Sequence, residues 1–204
     1  MRRWSGARQK GVFMPEQIRT TIAKHVDVFH LPRYEDIPNV GLYLEQTVSY
    51  ITEYLNPIQK GAITGSMVSN YVKKKLVANP VRKQYSREQI ALLIFIAVNK
   101  SVLPLDNIKI LLDIKSKYYE TGKAYNYFCD QFEQSLEYVF GLRKEAPAPG
   151  NASGGPEGPV RNREEKDILQ STVIAVANKI YLEKWIEEYA RIHFPQEAAA
   201  EEET

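Results

Sequence analysis

The chain has 204 residues, 44% hydrophobic and 25% charged, which is material for one or two packed domains with the composition of an ordinary globular protein. Its longest apolar run, the nine residues Ile90–Val98, falls well short of the roughly 18 that a membrane span needs, and the N-terminal arginines are not followed by the apolar stretch of a signal peptide. A single cysteine, Cys129, excludes an internal disulfide framework and fits a reducing compartment, so a cytoplasmic location is expected.

The net charge of +2 hides segregation. Lys60 to Ile90 holds seven cations against Glu88 alone, a local charge of +6, whereas from Arg163 onward five basic residues stand against ten acidic ones. A local positive field attracts polyanions whatever the global balance. The plainer alternative is a solvated, lysine-rich face.

Met1–Phe13 carries Arg2, Arg3, Arg8 and Lys10 with little apolar content, and reads as the start of a partly disordered extension over 1–30. Met14, followed by Pro15-Glu16, is a second candidate start. Gln17–Phe29 predicts a short helix, and Leu31-Pro32-Arg33-Tyr34 with Ile37-Pro38-Asn39 an extended, proline-punctuated connector. Leu44, Val48, Ile51 and Leu55 lie close to helical spacing, so Leu42–Leu55 reads as a helix ended by Asn56-Pro57. A loop through Lys60-Gly61 leads to Thr64, an N-cap for a helix from Gly65 to Leu76 that Asn79-Pro80 closes.

Ser86 and Gln89 have capping-box spacing, in which serine and glutamine satisfy unpaired backbone donors of the next helix, Arg87 to about Ser101. That helix is apolar over most of its circumference and so predicts a buried centre. Pro104 breaks it. Leu105, Ile108, Leu111 and Leu112 mark another amphipathic helix, and Lys123–Phe140 a further one with Gly141 as its stop. Four prolines and four glycines in Ala146–Pro159 predict a flexible linker. Beyond it, Ile168, Val173, Val176, Ile180, Trp185, Tyr189 and Ile192 place an apolar stripe on one long helix. The expected organisation is an extension (1–30), a helical domain (31–142), a linker (143–162), a C-terminal helix (163–195) and an acidic tail (196–204). The fold class is all-α, with no strands beyond a tiny hairpin near Val81–Tyr85.

On a helix from Gly65, Val68, Val72 and Leu76 share one face. The other face presents Ser66, Ser69, Asn70, Lys73 and Lys74. Groove reading needs this chemistry: asparagine pairs with an adenine edge, serines reach bases or phosphates, and lysines neutralise phosphate. Thr64 opens the helix. Arg82, Lys83, Tyr85 and Arg87 follow it, placed to hold the flanking backbone as a small wing. Duplex DNA is therefore the expected partner, with no catalytic residue, cofactor or metal.

From Ile63 to Leu112 the chain resembles the winged helix-turn-helix of MerR-type regulators. The residues that carry the likeness are Ile63-Thr64, Tyr71, Leu76-Val77, Pro80, Lys83-Gln84-Tyr85-Ser86 and Leu105-Asp106-Asn107-Ile108-Lys109. The span from about Leu31 to Leu112 is more closely similar to a bacterial family, the domain of unknown function 1836, through Ile37-Pro38, Leu42-Tyr43-Leu44-Glu45-Gln46, Asn70-Tyr71-Val72-Lys73 and Lys83-Gln84-Tyr85. The resemblance implies sequence-specific DNA binding and transcriptional control. The short Ala78–Tyr85 segment leaves room for a minimal wing only, and the long dimerisation helix and effector domain of MerR regulators have no counterpart.

Other functions find less support. His25, His30 and His193 are scattered without metal-ligand spacing, and Cys129 lies among Tyr127, Phe128 and Phe132 as a buried thiol would. Tyr43, Tyr50, Tyr118 and Tyr127 sit at core-edge spacing and read as packing residues, while Tyr85 reads as a phosphate contact. The serious alternative is a protein-interaction or oligomerisation module on the same fold, using the helix of Trp185, Tyr189 and Ile192. That helix is expected to pack back on the domain, with homodimerisation through it as the next option.

Overall fold

A helix that is apolar on nearly every side is satisfied only when other elements surround it. This requirement organises the molecule. The computed structural model describes residues 15–148 and 163–194. It contains α1 (Pro15–Ala23), β1 (Leu42–Tyr43), α2 (Leu44–Leu55), α3 (Gly65–Lys73), β2 (Gln84–Tyr85), α4 (Arg87–Asn99), α5 (Leu105–Tyr118), α6 (Thr121–Val139) and α7 (Arg163–His193). The fold is all-α, with one two-stranded antiparallel sheet among the described residues. At its centre α4 buries Ile90, Leu93, Ile94, Ile96, Ala97 and Val98 against α2, α6 and α7.

The termini of α4 follow from its sequence. Ser86 Oγ accepts the Gln89 N–H, and Gln89 Oε1 accepts the Ser86 N–H at 2.9 Å, closing the capping box. Gln89 Nε2 also donates to Ala78 O at 2.8 Å, which ties the chain leaving α3 to the first turn of α4.

Aromatic packing joins α4 to α6. Phe95 meets Phe128 edge-on at 4.9 Å, and Phe128 stacks on Phe132 at 6.0 Å. The proline-punctuated connector docks on α6 through charge: Arg33 donates two bonds to Glu133, at 2.8 and 2.6 Å, and lies 3.0 Å from Asp130. Glu133 also accepts the Leu31 N–H at 2.8 Å. Close to this clamp a Cβ on Gly122 would stand 2.9 Å from the Tyr34 ring, so only glycine lets the connector pack this tightly on the start of α6.

Ile18, Ile22 and Val26 are buried, with α1 lying against α7, so three residues of the expected extension contribute to the core. The long helix α7 packs along α6 and buries Val173, Val176, Ala177 and Ile180. A stripe of apolar residues at helical spacing tends to be covered, and here only its middle part is, while Ile168 and Ile192 stay exposed. Helix α1 stops at Ala23, short of the expected Phe29, because turn bonds from His25 N to Ile22 O and from Val26 N to Ala23 O redirect the chain and bring Val26 inward. The expected disorder of Met1–Phe13, most of the Ala146–Pro159 linker and the acidic tail fall outside the described residues.

Candidate nucleic-acid interface

Helix α3 begins where Thr64, in extended conformation, accepts the Met67 N–H on its Oγ1 at 3.3 Å. Thr64 Oγ1 also lies 3.0 Å from Ser66 Oγ. Val68 and Tyr71 are buried, whereas Ser66, Ser69, Asn70, Lys73 and Lys74 are exposed. The apolar side of α3 thus fixes the helix, and its polar side projects into solvent. Ser69 Oγ donates back to Gly65 O at 2.9 Å, a bond that a base edge or phosphate would have to replace.

The helix ends three residues earlier than its apolar spacing suggests. Lys75 has φ +58°, its N–H donates to Val72 O at 2.9 Å, and the Leu76 N–H donates to Tyr71 O at 3.0 Å. These two bonds form a Schellman stop with lysine in the left-handed position that glycine usually takes. Leu76 and Tyr71, the residues joined by the outer bond, are both buried.

Six residues beyond Lys75, Val81 and Gln84 exchange backbone bonds of 3.1 and 2.9 Å around Arg82 (φ +52°) and Lys83 (φ +65°). Positive φ at both central residues marks a type I′ turn, which favours Asn-Gly. The hairpin is held from the side by β1, with Leu42 opposite Tyr85 and Tyr43 opposite Gln84. Gly41 permits this approach, since a Cβ there would stand 2.8 Å from the Gln84 Cβ.

Lys75, Arg82 and Lys83 are the positive-φ residues other than glycine among those described, and all three are exposed cations. Each left-handed residue costs about 1 kcal/mol relative to a relaxed backbone. With Lys73 and Lys74 they make five exposed cations, none of which has an ion-pair partner among the described residues.

Residues 32–128 match the family model Domain of unknown function (DUF1836). The matched segment runs from the connector to the middle of α6, and so contains α2, α3, the hairpin, α4 and α5. No curated protein and no solved structure matches the chain.

Two residues of the matched segment expected to hold phosphate are engaged elsewhere. Tyr85 is 5% exposed and belongs to the core, where burial raises its phenol pKa above the ordinary value. Arg87 donates from Nε to Ile37 O at 2.8 Å and from Nη2 to Glu35 O at 3.3 Å, and covers the Tyr34 ring at 5.6 Å. It fastens the connector to the start of α4.

The phenol that does face solvent beside the hairpin is Tyr43, 53% exposed and opposite Gln84. Strand alternation is the signal for it, because pairing Leu42 with buried Tyr85 turns Tyr43 outward. Tyr118 is likewise half exposed, at 48%, where a packing role was expected.

Cys129 is fully buried, and burial pushes its thiol up to about 12, far from the thiolate that nucleophilic chemistry requires. Among the described residues no helix is long and apolar enough to cross a membrane.

Proposed function

We propose that this chain is a DNA-binding regulator of transcription, in which α2, α3 and the Val81–Gln84 hairpin act as a MerR-like winged helix-turn-helix. Helix α3 enters the major groove, with Ser66, Ser69 and Asn70 toward base edges. Lys73, Lys74 and Lys75 meet the phosphates at its C-terminal end. Arg82 and Lys83, at the tip of the wing, meet the flanking backbone together with the Tyr43 hydroxyl. In this reading Thr64 caps the helix, the chain works in the cytoplasm and it carries no catalytic centre.

The observation that supports the reading best is the placement of exposed, unpaired cations at the three left-handed backbone positions. Glycine or asparagine would relieve strain there, so cations at those positions favour a role for the charge. Selection of bound sequences from a random duplex pool tests the proposal. Enrichment of one short motif, with the preference lost in Asn70→Ala, is the expected result; a pool that stays random contradicts it.

A second reading, a homodimerisation or protein-interaction module, is favoured by the outer part of α7, where Leu182, Ile186 and Ile192 are 57%, 56% and 48% exposed. It predicts a concentration-dependent dimer in sedimentation that Leu182→Glu with Ile186→Glu abolishes. A monomer at every concentration contradicts dimerisation through this face.

A further inference from the structure

Lys100 is the C-cap residue of α4 and is half-buried, yet no carboxylate lies in ion-pair range of it among the described residues. Its Nζ donates instead to Met67 Sδ, 2.9 Å away on α3. A thioether is a weak acceptor, and an ammonium carries three donors. Withdrawing a charge from water without a strong partner costs stability, and burial holds the Lys100 pKa below its ordinary value. Burial lowers Lys115 in the same way, but that lysine donates to Thr121 Oγ1 and lies 3.8 Å from Glu88. Lys100 has no such company.

Its place on α3 gives this cation a use. Met67 lies in the first turn of the helix, and Met67, Asn70 and Lys74 follow at i, i+3 and i+7 along one edge. The Lys100 ammonium therefore stands at the head of an edge that passes through Asn70 to Lys74, roughly 10 Å further along the axis. The major groove is about 12 Å wide between its two backbones. Lys73, Lys74 and Lys75 crowd one end of α3 and would leave the other end free to pivot. A cation at both ends spans the groove.

We propose that Lys100 binds a backbone phosphate across the major groove from those held by Lys73, Lys74 and Lys75, and so fixes the orientation of α3 over the bases. This role rests on the DNA reading of α3. Phosphate contacts set register and orientation, and a phosphate oxygen gives the ammonium the charged acceptor that the Met67 sulfur is not. The contact adds about 0.9 to the salt slope that the five exposed cations give. A cation at this position also complements the negative end of α4, a role that would operate without DNA.

The test is phosphate-ethylation interference with the full chain on the duplex it selects, run beside urea unfolding. Ethylation removes the charge of one phosphate at a time. In Lys100→Met, which keeps the apolar stem, ethylation at one phosphate should cease to matter, across the groove from the phosphates lost in Lys73→Ala and Lys74→Ala. Affinity should fall about eightfold at roughly 0.1 M salt, the value of one phosphate contact, and Lys100→Arg should restore it to within about twofold. The urea midpoint should not fall; Lys100→Gln serves if the methionine variant does not fold. An interference pattern and affinity unchanged in the folded variant overturn the role of Lys100 and leave the DNA reading standing. A lowered urea midpoint with unchanged affinity assigns the charge to the α4 terminus and overturns it too. A pool from which no duplex is selected removes the DNA reading, and the role of Lys100 with it.

Discussion

Two stretches of this chain are rich in lysine and arginine, and they treat those cations in opposite ways. On α7, Lys179 pairs with Glu183, Lys184 with Glu187 and Arg191 with Glu188, each at helical spacing of three or four residues. Such pairs neutralise charge locally and, being solvent-exposed, contribute little to stability. From α3 to the hairpin, Lys73, Lys74, Lys75, Arg82 and Lys83 have no acidic neighbour in ion-pair range among the described residues, and three of them sit on left-handed backbone. Like charges left unpaired repel one another and strained φ angles cost stability. The first arrangement serves the fold, whereas the second costs it stability and leaves a positive field open to a polyanion.

The comparison breaks most easily by charge removal. Replacing Lys73, Lys74, Arg82 and Lys83 together by alanine should lower duplex affinity about a thousandfold at roughly 0.1 M salt, in anisotropy titrations. Replacing Lys179, Lys184 and Arg191 should leave it within about twofold. Equal losses from the two sets would erase the distinction between the regions.

A sharper form separates charge from strain. Arg82→Asn with Lys83→Gly gives the turn its preferred residues and should raise stability by about 1–2 kcal/mol in urea titrations. The same change should lower duplex affinity by about fiftyfold, since two phosphate contacts go with it. Loss of both stability and affinity would mean that these side chains support the hairpin. Asn70→Ala should cost about tenfold at the preferred sequence and little on unrelated duplexes, read by competition binding.

The smallest effect belongs to α7. The Arg191 guanidinium, bonding Glu188, holds that carboxyl below its ordinary value. A carboxyl whose folded pKa is depressed contributes stability above its unfolded pKa and loses it as pH falls through the folded value. Urea midpoints of the original chain and Arg191→Gln should therefore differ slightly at about pH 7 and converge as pH falls through the folded value of Glu188. A gap that persists in acid would assign the difference to packing.

Local signals in the sequence were read well, and long-range ones poorly. The Thr64 cap, the Ser86–Gln89 box, the buried α4 and the hairpin near Val81–Tyr85 depend on residues within a few positions of one another. The early end of α3 was missed because a left-handed lysine in a Schellman stop looks like helix continuation in spacing alone. The burial of Tyr85 is not legible locally because it depends on pairing with Leu42, more than forty residues earlier. The same holds for Arg87, whose acceptor at Ile37 and ring partner Tyr34 lie far back in the chain. The core role of Ile18 and Ile22 depends on α7, at the other end of the sequence, and no periodicity in a nine-residue helix reveals that. The match to DUF1836 covers the span from which the family resemblance was drawn, and it carries no biochemical role with it.

The central claim is that the unpaired cations of α3 and the hairpin are held for phosphate. Its most direct test is the salt dependence of duplex binding. Five phosphate contacts predict that the logarithm of the association constant falls with the logarithm of salt concentration at a slope of about −4.5, flattening by about 0.9 for each of the five cations replaced by alanine. A slope near zero, or one that the substitutions leave unchanged, would contradict the account.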